Sequence, residues 1–516
     1  MFLVSMGFLV FLALFLAVYY LVPGKFQWYV LLAASLVFYF LAGTPFTVLY
    51  LLVTIVTVWA AGCAMEKLGN DQTKKKKVLI AALVINVGIL AALKYANFFI
   101  VNFRKIYSLF GDGTRIKEVQ WIASLGVSFY TLMAVGYLLD VYWGISSAQK
   151  NVGKLALFLS FFPQMSSGPI CRYRQMDHQL YEPHKFHYER LCAGIQRMMF
   201  GFVKKLVIAE NLNPYVNYIF NDGADYNGWM IWGGMFLYML QLYADFSGCM
   251  DIVLGASECF GIYMPENFNR PFHSRSIQEF WKRWHITLGL WLQDYIMYPV
   301  LRSAAWGKMY KKLKRRWGKK AAKNIPTFLA MLILWFYMGL WHGGAWHYVA
   351  EGIWFWCVIV AGQLLDKQLK GVMKFLHINE DSSWWHGFQS IRTTLIYGVG
   401  VIFFRAGSVR QALHYIKVGL SPRCLTIGNT IAQIKVYLSA FPINTGIKAA
   451  ICVMIGILVV SLLILFQARE KSVYQWLNGC NIVIRWGILY IILFTIILFG
   501  AYGPGFDASQ FIYGGF

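Results

Sequence analysis

Two histidines stand where an apolar chain would ordinarily carry none. In FYMGLWHGGAWHYVAEGIWFW (336–356), His342 closes a long apolar run and is followed by Gly343 and Gly344. In MPENFNRPFHSRSIQEFWKRWHITLGLWLQDYIMYPV (264–300), His285 enters an apolar stretch with Trp281, Trp284 and Trp291 around it. Imidazole exchanges protons near neutral pH, so either ring suits general-base work. The glycine pair allows a tight turn and close backbone approach. Each histidine also has a purely structural explanation. His342 can close its helix beside the C-terminal dipole, and His285 can belong to an interfacial amphipathic helix anchored by Trp and Lys. His347 is a further imidazole in the same turn as His342.

Carboxylates supply the second set of candidates. In YMLQLYADFSGCMDIVLG (238–255), Asp245 and Asp251 interrupt an otherwise apolar span. Six residues apart, they lie roughly 240° around a helix and cannot share one narrow face. Intramembrane acids are costly, so each needs a partner or a function. Asp294 and Tyr295 follow His285 on the same stretch, and Trp341 adjoins His342; all three are supporting candidates. No phosphate loop, HExxH, GxSxG or dinucleotide fingerprint occurs. The nine cysteines are scattered with no CxxC spacing, so no metal site is expected. Any chemistry must use His, acids and hydroxyls inside a membrane pocket.

The elements that would position these groups are helices. The chain has 516 residues, 58% hydrophobic and 14% charged. Apolar runs near bilayer length lie at 4–22, 27–43, 45–62, 78–100, 122–143, 190–208, 229–257, 327–342, 346–365, 391–404, 446–467 and 483–501. The segments 155–173 and 284–302 are apolar but broken by Pro, Gly or charge, as re-entrant helices are. An all-α polytopic membrane protein with roughly 11–14 membrane segments is expected. The first run has no basic leader and no small-residue cleavage site, so it reads as a retained span. One membrane domain over 1–501 and a tail over 502–516 is the expected division.

The net charge of +24 comes from 47 Lys and Arg against 23 Asp and Glu. In a soluble chain such a balance suggests nucleic acid. Here the basic residues sit in short loops between spans, where they set orientation in the bilayer, and no nucleic-acid partner is expected. Lys74–Lys77 and KKLKRRWGKKAAK (311–323) then lie on the cytoplasmic side. The turn WHGGAW (341–346) and both termini are expected on the outer side.

PENFNRPFHSRSIQEFWKRWHITLGLWLQDYIMYPV followed by GLWHGGAW resembles the membrane-bound O-acyltransferase (MBOAT) family. The likeness is greatest to the bacterial branch that acylates cell-envelope polymers, by alginate O-acetylation or teichoic-acid D-alanylation. LKYANFF (93–99), GVSFYTLMAVGYLLDVYWG (126–144), FFPQMSSGPICRYRQM (161–176), GFVKKLVIAENL (201–212), YADFSG (243–248) and FFRAGS (403–408) fit in order. Residues 409–482 match no named pattern. The resemblance implies a fold built around a transmembrane tunnel, with His342 and His285 as its catalytic pair. It implies a cytoplasmic acyl donor and an extracellular acceptor in a bacterial plasma membrane. The expected donor is acetyl-CoA, with an acyl carrier protein thioester as the alternative, and no tightly bound cofactor.

The tail ASQFIYGGF (508–516) ends an apolar chain on aromatics with no charge after Asp507. In the D-alanylation system a single-span partner ends in F-x-Y-x-x-F. The resemblance implies that Tyr513 carries the acyl group as an ester, with Phe511 and Phe516 fixing its register. The bland alternative is a tail that packs at the interface. An extracellular SGNH-type enzyme or the polysaccharide itself would then accept the group. The expected function is O-acylation of an envelope polysaccharide, against D-alanyl transfer to teichoic acid, acylation of a lipid or protein, or a lipid-linked glycan transporter.

Overall fold

In lipid no water is available to the backbone, so an apolar chain must satisfy its own N–H and C=O groups within helices. The computed structural model describes residues 3–43, 45–110, 116–119, 126–165, 167–221, 228–439, 443–468 and 473–503, and these are helical almost throughout. The sole β-type pairing among them is one bridge, Phe268 to Trp284.

The amino-terminal third contributes α1 (Met6–Leu21), α2 (Gln27–Ala42), α3 (Pro45–Lys67), α4 (Gln72–Tyr107) and α5 (Val127–Tyr142). The broken stretch expected at 155–173 is α6 (Val152–Ser160), a single-turn α7 (Phe162–Met165) and, past an extended link, α8 (Tyr173–Tyr181). Then α9 (Tyr188–Phe202) passes through a π-helical segment (Val203–Ala209) into α10 (Glu210–Asn221), and α11 (Gly228–Cys259) follows. The second broken stretch is α12 (Ile277–Arg283), α13 (Ile286–Leu292), another π-helical segment (Gln293–Met297) and α14 (Tyr298–Arg302). A long α15 (Ala304–His342) turns sharply into α16 (Trp346–Phe375), and α17 (Ser383–Arg405) and α18 (Val409–Leu420) follow. The region that matched no named pattern continues through α19 (Ile427–Ser439), α20 (Ile443–Ala468) and α21 (Val473–Gly479) to α22 (Ile482–Phe499).

Among the described residues six helices are long and apolar enough to cross a bilayer and three shorter apolar helices accompany them, consistent with an all-α polytopic membrane protein. Several segments are too short to span alone, and α11 carries acids that only a protein interior tolerates. α11 is accordingly buried along most of its length, from Ile231 to Cys259.

Glycines set how closely α9 approaches α11. A Cβ on Gly255 would lie 2.5 Å from the carbonyl oxygen of Gly194, and one on Gly201 would lie 2.7 Å from that of Gly248. The pairs are spaced alike on both helices, so the backbones touch at two levels. Apolar packing gives no advantage over lipid here, and such small-residue contacts are how membrane helices gain van der Waals energy.

Gly255→Val or Gly201→Val should therefore force the two backbones apart and cost about 3 kcal/mol or more. Gly233→Ala, on the same α11 but facing open space, should leave stability unchanged or raise it. Melting temperatures of the three variants in one detergent check this.

Candidate active site

The packing of α9 on α11 brings charges together. Lys205 lies 2.5 Å from Asp245 and 2.5 Å from Glu210, Lys204 pairs with Asp251, and Arg197 bridges Asp251 at 3.1 Å and Glu266 at 2.7 Å. Both acids that interrupt the 229–257 run are thus neutralised by basic groups from 197–205. Adjacent lysines on an ordinary helix point about 100° apart. The π-helical segment widens the turn locally, and both ammonium groups reach α11. The same segment holds the end of the last helix. Leu206 accepts from the backbone N–H of Ala501 at 3.0 Å, and the Asn211 amide donates to the carbonyl of Phe499 at 2.8 Å.

His285 sits at the join of α12 and α13 with φ 47 and ψ 52. A non-glycine residue in that region is strained, and such strain concentrates at functional sites. The surroundings over-determine it. Ile286 N donates to the carbonyl of Asn267 at 3.1 Å, and Asn267 Oδ1 accepts from Thr287 N at 3.0 Å and Thr287 Oγ1 at 2.8 Å. The imidazole is buried and meets the ring of Phe246, from α11, edge-on at 4.8 Å.

His342 is the last residue of α15 and is likewise buried. Its helix returns at once as α16 because three glycines permit contact: a Cβ on Gly339 would lie 2.4 Å from Tyr348 O, one on Gly352 2.2 Å from Trp335 O, and one on Gly343 2.5 Å from the Tyr348 ring. The imidazole faces Phe404 at 5.2 Å. The last carbonyls of α15 are capped from α4. Tyr95 Oη donates to Leu340 O at 2.9 Å, and Lys94 Nζ donates to Trp341 O at 2.5 Å and to Ser128 Oγ at 3.2 Å.

One side chain joins the two histidines. The Trp341 indole lies 5.5 Å from the His285 ring and 5.3 Å from the His342 ring, with Phe129 on another side at 5.8 Å. Two imidazoles from separate elements thus share one buried aromatic wall. Beside such a wall an imidazole base would act in low dielectric.

The other expected residues are distributed as follows. Asp245 belongs to the ion ladder, committed to Lys205 and 1% exposed on its side chain. Asp294 pairs with Arg172 and is 41% exposed, and Tyr295 donates to Asp140 Oδ1 at 2.9 Å. These last two lie nine and ten residues beyond His285, about 14 Å along the helical path, and so form a second cluster rather than part of the first. His347 is partly buried and packs on the neighbouring Tyr348 ring at 4.1 Å. Tyr513, Phe511 and Phe516 lie outside the described residues.

Lys94 was not among the expected site residues, although its signal is plain: it is the one charge in the run from Val78 to Phe99. Lys204 and Lys205 gave the same signal within GFVKKLVIAENL.

The sequence profile of the membrane-bound O-acyltransferase family matches residues 151–382, which carry both histidines. A probable alginate O-acetylase of Azotobacter vinelandii is 31% identical over 407 residues, covering 78% of this chain and 74% of that one. A peptidoglycan O-acetyltransferase of Helicobacter pylori is 27% identical over 67% of this chain and 66% of its own. A teichoic acid D-alanyltransferase of Bacillus subtilis is 34% identical, over 45% of this chain and 57% of its own.

The two ion pairs should differ sharply when broken. Lys205→Met leaves Asp245 and Glu210 buried without their cation and should cost about 3–5 kcal/mol, most of it recovered when both acids are also made neutral. Asp294→Asn breaks a half-exposed pair and should cost about 1 kcal/mol or less. Thermal unfolding of the four proteins in detergent gives the comparison.

Proposed function

The chain belongs to the membrane-bound O-acyltransferase family, and on that premise we propose that it carries an acetyl group from cytoplasmic acetyl-CoA across the bilayer to an extracellular envelope polysaccharide. The observation that carries this is the pair of histidines, one at the join of α12 and α13 and one at the end of α15, buried against the Trp341 indole. His342 acts as general base on the attacking hydroxyl. His285 orients that hydroxyl or the acyl carbonyl. The proton taken from the hydroxyl is returned to the departing thiolate, so the base ends as it began.

Orientation follows from the basic ends of two helices. Lys77 stands seventeen residues before Lys94 on α4, and Lys323 stands eighteen before Trp341 on α15. Lys94 touches Trp341, so a similar length of helix leads from each basic start to that contact. Both starts then lie on the cytoplasmic face. About 26 Å of helix leads from those starts to the histidine pair, a length that fits within a hydrocarbon core about 30 Å thick. A donor entering from below and an acceptor from above would meet there.

Tyr513 is the first acceptor in this scheme. It lies twelve residues beyond Ala501, which is hydrogen-bonded to Leu206. An extended chain of that length reaches on the order of 40 Å, and the scheme requires His342 to lie within that reach of the anchor on the π-helical segment. The acyl-tyrosine would then be emptied by an SGNH-type enzyme or by the polymer outside.

The Bacillus subtilis relative favours a second reading, D-alanyl transfer to teichoic acid from a carrier-protein thioester. Its match spans 45% of this chain, against 78% for the alginate relative, and acetyl transfer is therefore preferred.

Intact-protein mass spectrometry after incubation with acetyl-CoA tests the relay. An acetyl adduct on the C-terminal peptide is expected in wild type and absent in Tyr513→Phe and His342→Ala. An adduct formed only from a D-alanyl carrier protein would establish the second reading. An adduct that survives Tyr513→Phe would remove the tail from the mechanism.

A further inference from the structure

The LKYANFF stretch places two hydrogen-bond donors, Lys94 and Tyr95, on consecutive carbonyls at the end of α15. Tyr95 shows that a neutral donor is enough to cap such a carbonyl. Lys94 does the same task with a full positive charge, at membrane depth, where charge is expensive. No carboxylate lies within ion-pair distance of it among the described residues. Every cation of the ladder 197–205, by contrast, has an acid beside it. The helix dipole of α15 repays only part of the cost, since a cation at a helix C-terminus gains about 0.3–1 kcal/mol. An ammonium has three N–H donors, and Trp341 O and Ser128 Oγ take two.

We propose that Lys94 is a catalytic residue of the acyl transfer: its ammonium faces the acyl oxygen and stabilises the negative charge that develops there. This deepens the function proposed above and rests on the acyl transfer proposed there. The placement fits. Lys94 lies over the Trp341 ring, 5.5 Å from its centroid, on the indole that also meets both histidines. In the step, the hydroxyl oxygen attacks the thioester carbonyl carbon. A C–O bond forms, the carbonyl π pair moves onto oxygen, and the hydroxyl proton passes to the His342 imidazole. The third N–H of Lys94 then meets the oxyanion, where a fixed positive charge acts far more strongly than in water. When the pair returns, the C–S bond breaks and the thiolate takes the proton from His342.

The test compares Lys94→Gln, which keeps a neutral capping donor, with Tyr95→Phe, which removes the neutral cap. Both are measured beside wild type and His342→Ala for turnover with acetyl-CoA and with a D-alanyl carrier protein, and for melting temperature. Lys94→Gln should lower kcat about 100-fold or more with KM within a few-fold of wild type and the melting temperature within a few degrees. Tyr95→Phe should lower the melting temperature and leave kcat within a few-fold. Wild-type turnover in Lys94→Gln, or an equal loss in Tyr95→Phe, would overturn the proposal by making the cap and not the charge responsible. Should neither donor be used in vitro, the O-acyl ester content of envelopes from cells carrying each variant as the sole copy gives the same comparison. Activity retained in His342→Ala but lost in Lys94→Gln would fault the general base and leave Lys94 standing.

Discussion

The contact between α9 and α11 governs the molecule. At Gly194, Gly201, Gly248 and Gly255 the two backbones touch, with no side chain between them. That closeness lets Arg197, Lys204 and Lys205 meet Asp251 and Asp245 within a region where none of them could stand alone. With α11 fixed, Phe246 is fixed, and Phe246 is the wall against which His285 lies. His285 in turn shares Trp341 with His342. A chain of rigid contacts thus runs from a structural ion ladder to the candidate catalytic pair. The π-helical segment serves both ends, since it carries Lys204 and Lys205 and also accepts the hydrogen bond that anchors Ala501.

Both histidines occupy breaks in regular structure. His285 takes a left-handed conformation between two short helices, and His342 ends a helix that reverses within three residues. A break frees a side chain to leave the packed face of its helix, but it also leaves backbone groups to satisfy. Asn267 answers this for His285, using its own carbonyl and its side-chain oxygen. Lys94 and Tyr95 answer it for the end of α15. The first position costs strain and the second a charge, and both are held by neighbours remote in sequence. Preorganised sites in low dielectric are built in this way, with the expense of order met at folding instead of at reaction.

Much of this is legible in the sequence. Helical class and membrane residence follow from apolar runs, and the two histidines stand out because imidazole is rare in such runs. The acids Asp245 and Asp251 stand out for the same reason, but their partners do not, because an ordinary helical wheel turns Lys204 and Lys205 apart. Both lie in the π-helical segment Val203–Ala209, and both ammonium groups reach α11. The backbone strain at His285 is invisible in sequence, since it depends on Asn267 lying opposite a chain break. Asp294 and Tyr295 look like site residues through proximity in sequence to His285, yet the length of α13 carries them away to Arg172 and Asp140.

Charge within the membrane is thus used here in two different ways. In the ladder every cation meets an anion, so the electric field it casts is short-ranged and its service is to hold helices together. Among the described residues Lys94 donates to a carbonyl and a hydroxyl and lies over the Tyr95 and Trp341 rings, on the indole that also meets both histidines. A protein selected for stability alone would gain by replacing that lysine with a neutral donor such as the tyrosine beside it. The unbalanced charge is more naturally explained by a partner that is present only during turnover. An acyl group is neutral when it arrives and when it leaves, and negative only between. A fixed cation therefore does little for either bound state and most for the state between them, which is the requirement for lowering a barrier without trapping the substrate.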